Sequence, residues 1–174
     1  MIETVLFSTG FIIILVVSIP TLRQPGSHGF YRFFAWLIIW GMLLINIRSW
    51  FVHPFSWYQI ISWILLFISL IPLISGVYLL RHIGRPRDAI EATTQLVQVG
   101  IYRFIRHPLY ASLLYLGWGI FFKSPSLLEG CLVFVATAYL YATAYADERE
   151  CILKFGQEYA RYIRKTKMFI PFLY

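Results

Sequence analysis

A chain of 174 residues that is 59% hydrophobic, 19% aromatic and only 13% charged carries more apolar surface than a water-soluble domain of that length can bury, so the bilayer is its solvent. The formal net charge of +7 is no nucleic-acid signature, because the cations lie between apolar spans rather than in one basic patch. Cys131 falls in an apolar run and Cys151 in a polar one, which excludes a disulfide framework and a CxxC metal pair.

The pattern predicts an all-α integral membrane protein with five transmembrane helices in a single membrane domain over 1–174: three spans in 1–80, then a loop, a helical hairpin and a tail in 81–174. The first span covers residues 4–19 and stops at Pro20. Glu3 precedes it without a basic flank, which reads as a signal anchor rather than a cleaved leader. The second covers 31–47 and closes on Arg48; residues 50–56, with His53 and Pro54, read as an interfacial loop. The third covers 57–80, with a kink expected at Pro72. Residues 81–107 form the longest polar region. The fourth span, 108–122, opens on Pro108, whose fixed φ and missing N–H suit a first helical turn. A tight turn follows, with Ser124 expected as N-cap and Pro125 at the first helical position of the fifth span, 126–146. That helix runs on through a charged segment toward Tyr162.

Thirteen of the fifteen Lys and Arg residues lie in three regions that five spans place on one side. They are Arg23 and Arg32; Arg81, Arg85, Arg87, Arg103 and Arg106; and six between Arg149 and Lys167. Only Arg48 and Lys123 fall on the other side, so the orientation expected is N-out, C-in. Fifteen residues rise about 22 Å, short of a hydrocarbon core of about 30 Å, so the His107 end of the fourth span is expected to be recessed on the cytoplasmic side.

Two clusters of chemistry meet at that end. Arg103, Arg106 and His107 gather beside unpaired helix N–H groups, a setting for anionic or polar ligands and also the ordinary basic flank of a membrane helix. The fifth span ends in Asp147, Glu148, Arg149 and Glu150. Helical spacing puts Glu148 on the buried stripe with Tyr141, Tyr145, Ile152 and Phe155. It gives Asp147 a mixed face and pairs Glu150 with Lys154 at the surface. A carboxylate, an imidazole, arginines and tyrosines converging in a membrane recess suit a charged cofactor with an aromatic part.

The order Leu96–Val97, Gly100–Ile101–Tyr102, Arg106–His107–Pro108–Leu109–Tyr110, an acidic pair, Phe155–Gly156–Gln157–Glu158–Tyr159, Tyr162 and Pro171 resembles the isoprenylcysteine carboxyl methyltransferases and the related phospholipid methyltransferases. The resemblance covers about residues 84–171. It implies an integral membrane enzyme that uses S-adenosyl-L-methionine, with Leu96, Val97, Tyr102, His107 and Tyr110 lining the cofactor site, Arg106 beside them, and Asp147 as the carboxylate that holds the cofactor. The spacing argument prefers Glu148 for that carboxylate, and both stay as candidates. Where the prenylcysteine enzymes keep a carboxylate-binding arginine, this chain has Thr143, with Arg149 or Arg106 as possible substitutes. The acceptor expected is therefore a lipophilic small molecule or lipid rather than a prenylated protein C-terminus. No general base, metal or oligomeric state is assigned. Two rivals remain: an NADPH-dependent reductase of the sterol type, which the ending Phe169–Ile170–Pro171–Phe172 also resembles, and a non-catalytic scaffold anchored by its basic tail.

Overall fold

The computed structural model describes residues 2–86 and 93–172, with side chains from Val5 onward; Arg87, one of the thirteen cations counted above, lies outside the described residues. The described chain is helical, with α1 Ile2–Leu22, α2 His28–Ile45, α3 Trp57–Leu79, α4 Pro108–Phe121, α5 Leu127–Phe155 and α6 Gln157–Lys165. Among the described residues there are no strands, only isolated bridges at Pro86–Thr93 and Ile105–Lys167. Four helices are long and apolar enough to cross a bilayer: Val5–Leu22, His28–Ile45, Trp57–Gly84 and Leu127–Phe155. α4 is apolar but shorter. The chain is a multi-pass membrane protein.

Several boundaries depart from the sequence reading. α1 does not stop at Pro20 but runs through it to Leu22. A proline this close to a helix end removes one hydrogen bond without breaking the last turn. α2 begins at His28, because Ser27 is extended and its hydroxyl accepts from Phe30 N at 3.3 Å. α5 is capped by Ser126, not Ser124: the extended backbone at Ser126 lets its Oγ accept from Glu129 N at 3.2 Å. Pro125 therefore precedes the helix instead of starting it. α5 runs on past Ala146 as expected but ends at Phe155, where Gly156 separates it from α6, instead of continuing toward Tyr162.

α4 is the centre of the bundle, and none of its residues is exposed. It packs most extensively on α3, where small residues allow close approach: Ser62 Oγ donates to Gly119 O at 2.6 Å, and a Cβ at Gly119 would meet Leu66 at 3.0 Å. α2 and α5 cover its other faces, with Ala35, Ile39, Met42, Val133, Ala136 and Leu140 in the shared core. By contrast α1 leaves Ile12, Ile13, Val16 and Val17 exposed as a lipid-facing surface. At one end of the bundle Lys123 is buried. Its Nζ donates to Gln59 Oε1 at 3.1 Å and sits 3.5 Å from the Trp63 ring centroid. At the other end the chain after α6 lies along the entrance to α4. Arg106 N donates to Lys167 O at 2.9 Å and His107 N to Met168 O at 3.2 Å, with Met168 and Phe169 buried beneath.

Candidate active site

The cleft is assembled where α3, α4, α5 and α6 end or begin. α3 widens into a π-helical turn at Leu80–Gly84, and Arg85 then takes a left-handed φ of 48° that reverses the chain. Gly84 O accepts from Thr94 N at 2.8 Å, which brings residues 93–99 back over the turn. Lys154 Nζ on α5 donates to Thr93 O, and Gln98 Nε2 donates to Glu158 Oε1 on α6 at 3.0 Å. This loop is thus tied to three helices. Gly100 has φ +59°, a left-handed backbone that favours glycine, and a Cβ there would displace only the tip of the Leu79 side chain. Tyr102 follows, its carbonyl accepting from Tyr162 OH at 2.6 Å.

These elements enclose a cleft of about 540 Å³, its open mouth included. Of the eight cofactor-site residues expected from the sequence, seven line it: Leu96, Val97, Tyr102, Arg106, His107, Tyr110 and Asp147. Glu148 does not, although it is buried. Leu80, Thr93, Pro108, Leu109, Cys151, Phe155, Tyr159 and Tyr162 complete the wall. Tyr159 and Tyr162 carried a readable signal: in the amphipathic α6 they share a face three residues apart, opposite Arg161 and Arg164. Cys151 shares a helix face with Asp147, four residues on, whereas Leu80 had no such signal, since only the turn after α3 brings it in.

At the base of the cleft lies a four-residue charged network. His107 Nδ1 is 3.3 Å from Asp147 Oδ2, and its Nε2 is 3.2 Å from Glu148 Oε1. Glu148 Oε1 also accepts from Arg106 Nε, while Arg106 Nη1 donates to Thr166 O at 2.9 Å. Consecutive helical residues diverge by about 100°, so the two carboxylates straddle the imidazole, Asp147 on the cleft side and Glu148 behind it. Burial alone would lower the His107 pKa, but its hydrogen bonds to Asp147 and Glu148 outweigh burial and raise it above 6.5. Burial pushes the Tyr159 and Tyr162 hydroxyls well above the ordinary tyrosine range.

Neither residue expected at the acceptor lines the cleft. Thr143 is fully buried and its hydroxyl donates to Tyr139 O at 2.7 Å, one turn back in α5. Arg149 is exposed and reaches toward Gly26 O, 3.5 Å away. Glu150 does not pair with Lys154 but accepts from His28 N at 3.0 Å and lies 2.6 Å from His28 Nδ1, because Lys154 is turned to Thr93.

Residues 57–157, more than half of the chain, match the phospholipid methyltransferase family. Methanethiol S-methyltransferase 1 of Bradyrhizobium diazoefficiens is 34% identical over 73 residues, 41% of this chain and 24% of that protein. Methanethiol S-methyltransferase of Crocosphaera subtropica is 33% identical over 75 residues, 41% of this chain and 28% of the relative. That of Mycobacterium tuberculosis is 28% identical over 90 residues, 51% and 34% respectively. The matched stretch spans only about a quarter to a third of the length of these relatives. The family match takes in the charged base and the cleft wall as far as Phe155 but ends before Tyr159 and Tyr162, and because it covers more than half of the chain, the chain belongs to the phospholipid methyltransferase family of membrane proteins.

Proposed function

We propose that this protein transfers a methyl group from S-adenosyl-L-methionine to a lipophilic acceptor, with the cofactor entering from the cytoplasm and the acceptor from the adjoining leaflet. The observation that carries this reading is Asp147 on the wall of an aromatic cleft, at a base that also presents Arg106 and His107. The cofactor combines an aromatic base, a carboxylate and two cationic centres, and the donor set matches each: tyrosine and phenylalanine faces for the base, Arg106 for the carboxylate and Asp147 for the cationic centres.

When bound, the cofactor would supply an electrophilic methyl group on a sulfonium. The work left to the protein is alignment and exclusion of water. Tyr102, Tyr110, Tyr159 and Tyr162 would stack on the aromatic part and fix its rotation. Asp147 would anchor an ammonium group in a partly dry cleft, where a carboxylate contact is stronger than in water. Arg106 is held in place by Glu148 and the tail carbonyl of Thr166, so it can meet a carboxylate without reorganising. The orientation that fits is five spans, N-out and C-in, with α4 as the short fifth member and α4–α5 as a hairpin whose open end faces the cytoplasm.

The acceptor class follows from Thr143, whose hydroxyl is occupied within α5 and offers no charge to a substrate carboxylate. A lipid or apolar small molecule fits better than a prenylcysteine. A small thiol is the second reading, favoured by the relatives named methanethiol S-methyltransferases. The deciding assay offers labelled S-adenosylmethionine with a total lipid extract, a short alkanethiol and a farnesylcysteine analogue in parallel. Label in the lipid or thiol arm, lost in Asp147→Asn, is the expected result. Efficient labelling of the farnesylcysteine analogue alone would overturn the acceptor assignment, and failure of the protein to bind S-adenosylhomocysteine would overturn the cofactor.

A further inference from the structure

His107 is in contact with a carboxylate at each ring nitrogen, Asp147 at 3.3 Å and Glu148 at 3.2 Å. A neutral imidazole has one N–H and one lone pair, and a lone pair aimed at a carboxylate is repelled by it. Only the doubly protonated ring satisfies both neighbours. The network is then neutral: Arg106 and His107 carry two positive charges, Asp147 and Glu148 two negative ones. On the far side of Asp147, His28 and Glu150 come within 4.8 Å of its carboxylate and are paired with each other at 2.6 Å. Besides the network, the groups that face the ring itself carry no charge. Tyr110 from α4 stacks on it with centroids 5.5 Å apart, and Phe169 from the tail lies at 6.3 Å. Tyr159 and Tyr162 from α6 share the cleft, and burial keeps both hydroxyls protonated. Cys151 on α5 contacts Asp147 with its Sγ at 3.8 Å. Lys154, also on α5, is turned away to Thr93 O.

Asp147 is therefore shared: one side faces the cleft and the other holds His107. S-adenosylmethionine carries a sulfonium, an ammonium and a carboxylate, a net charge of one positive. The thioether left after methyl transfer is neutral. An uncompensated charge in a partly dry site is costly, and the cofactor would bring one to a network that is already balanced.

We infer that His107 balances the charge of the cleft, giving up a proton to solvent as the net-positive cofactor binds beside Asp147 and recovering one after the methyl group has left. The inference rests on the cofactor reading above. Its balance is complete. On binding, one positive charge enters and one proton leaves. In the transfer, the C–S bond breaks with its electron pair remaining on sulfur, and the acceptor's electron pair forms the new bond to carbon. The proton of an acceptor that carries one returns to His107, and with an anionic acceptor the proton returns from solvent, so the network is neutral again. His107 is in this sense a positioning residue that acts through Asp147.

The test is calorimetry on the detergent-purified protein, with S-adenosylmethionine and S-adenosylhomocysteine each titrated in two buffers of different ionisation enthalpy. At about pH 6 His107 is protonated, and the expected result is about one proton released per cofactor and about none per thioether product. Equivalently, the ratio of the two affinities rises about tenfold per pH unit in this range. His107→Gln should abolish the release. Equal proton counts for the two ligands in the parent protein, or release that persists in His107→Gln, would overturn the inference. Should the variant fail to fold, the comparison between ligands in the parent still decides it. If neither ligand binds at all, it is the cofactor reading that falls.

Discussion

Asp147 and Glu148 are adjacent in the chain and face different partners, which separates their substitutions. Glu148 is nearly buried and compensates both Arg106 and His107. Glu148→Gln leaves two cations facing a neutral amide, and breaking a buried pair in this way costs on the order of 3 kcal/mol. Thermal unfolding should show it as an early melt. Asp147→Asn keeps that pair intact and should instead weaken binding of S-adenosylhomocysteine at nearly parental stability. The opposite pattern, an unstable Asp147→Asn with normal affinity, would reverse the division. His107 adds a pH dependence. Its folded value is raised above 6.5, so its stabilisation is fully present below 6.5 and is lost as pH rises through that folded value. Melting temperature should therefore fall across that window in the parent and stay flat in His107→Gln. Glu148 does turn inward, but not on the stripe that helical spacing drew for it: Tyr145 and Ile152 of that stripe are exposed, and Glu148 is buried by its partners Arg106 and His107. Nor could helical spacing show which of two inward directions opens on a cleft, because that depends on where α6 and the loop 93–99 lie. Thr143 shows a similar limit: its place one turn before the acids was readable, its hydroxyl bond back to Tyr139 was not.

Gly156 decides how α5 and α6 meet. Its φ of 57° and ψ of −131° lie where L side chains are strained, yet a Cβ there would have nothing within 4 Å. Gly156→Ala therefore tests backbone strain without a steric clash, and about 1–3 kcal/mol of lost stability is expected. Gly130→Ala, inside α5 with only Phe121 at 3.8 Å, should be neutral or stabilising. Equal melting temperatures for the two variants would show that the corner is not fixed by glycine. Without that corner α6 would not carry Tyr159 and Tyr162 across the cleft. The spans themselves were legible from apolar runs, whereas their ends were not: Pro20, Ser126 and Phe155 all fall where the run and the helix part company. Hydropathy marks how far the chain stays in lipid, while a helix ends where its last N–H and C=O groups find other partners.

The proposed orientation of the whole molecule is open to a direct check. With Cys131 and Cys151 replaced, Ser124→Cys in the α4–α5 turn and Lys165→Cys at the end of α6 should react with a membrane-impermeant thiol reagent from opposite sides. Labelling of both from one side would remove the five-span arrangement. α5 has 29 residues and rises about 43 Å, more than a hydrocarbon core of about 30 Å, so one of its ends must project into water. Its charged end is the one that does so in the orientation with thirteen cations inside. The sequence carried this arrangement in its charge distribution, but not the way the tail turns back over the entrance to α4. That return rests on backbone hydrogen bonds from 104–107 to 167–168, which any sequence can make and none advertises.

The brevity of α4 has an electrical consequence. Its 14 residues rise about 21 Å, roughly 9 Å less than the hydrocarbon core, and its neighbours screen it from lipid. In the proposed orientation the shortfall would be a protein-walled well on the cytoplasmic side, and part of any transmembrane voltage would fall across it. A single charge carried to its floor against an inside-negative potential would cost about 0.7 kcal/mol per 100 mV, about threefold in affinity. If one proton leaves His107 for each cofactor that arrives, no net charge moves and the voltage has nothing to act on. In proteoliposomes near pH 6 the parent should bind S-adenosylmethionine equally well with or without a potassium diffusion potential, and only His107→Gln should respond to the field.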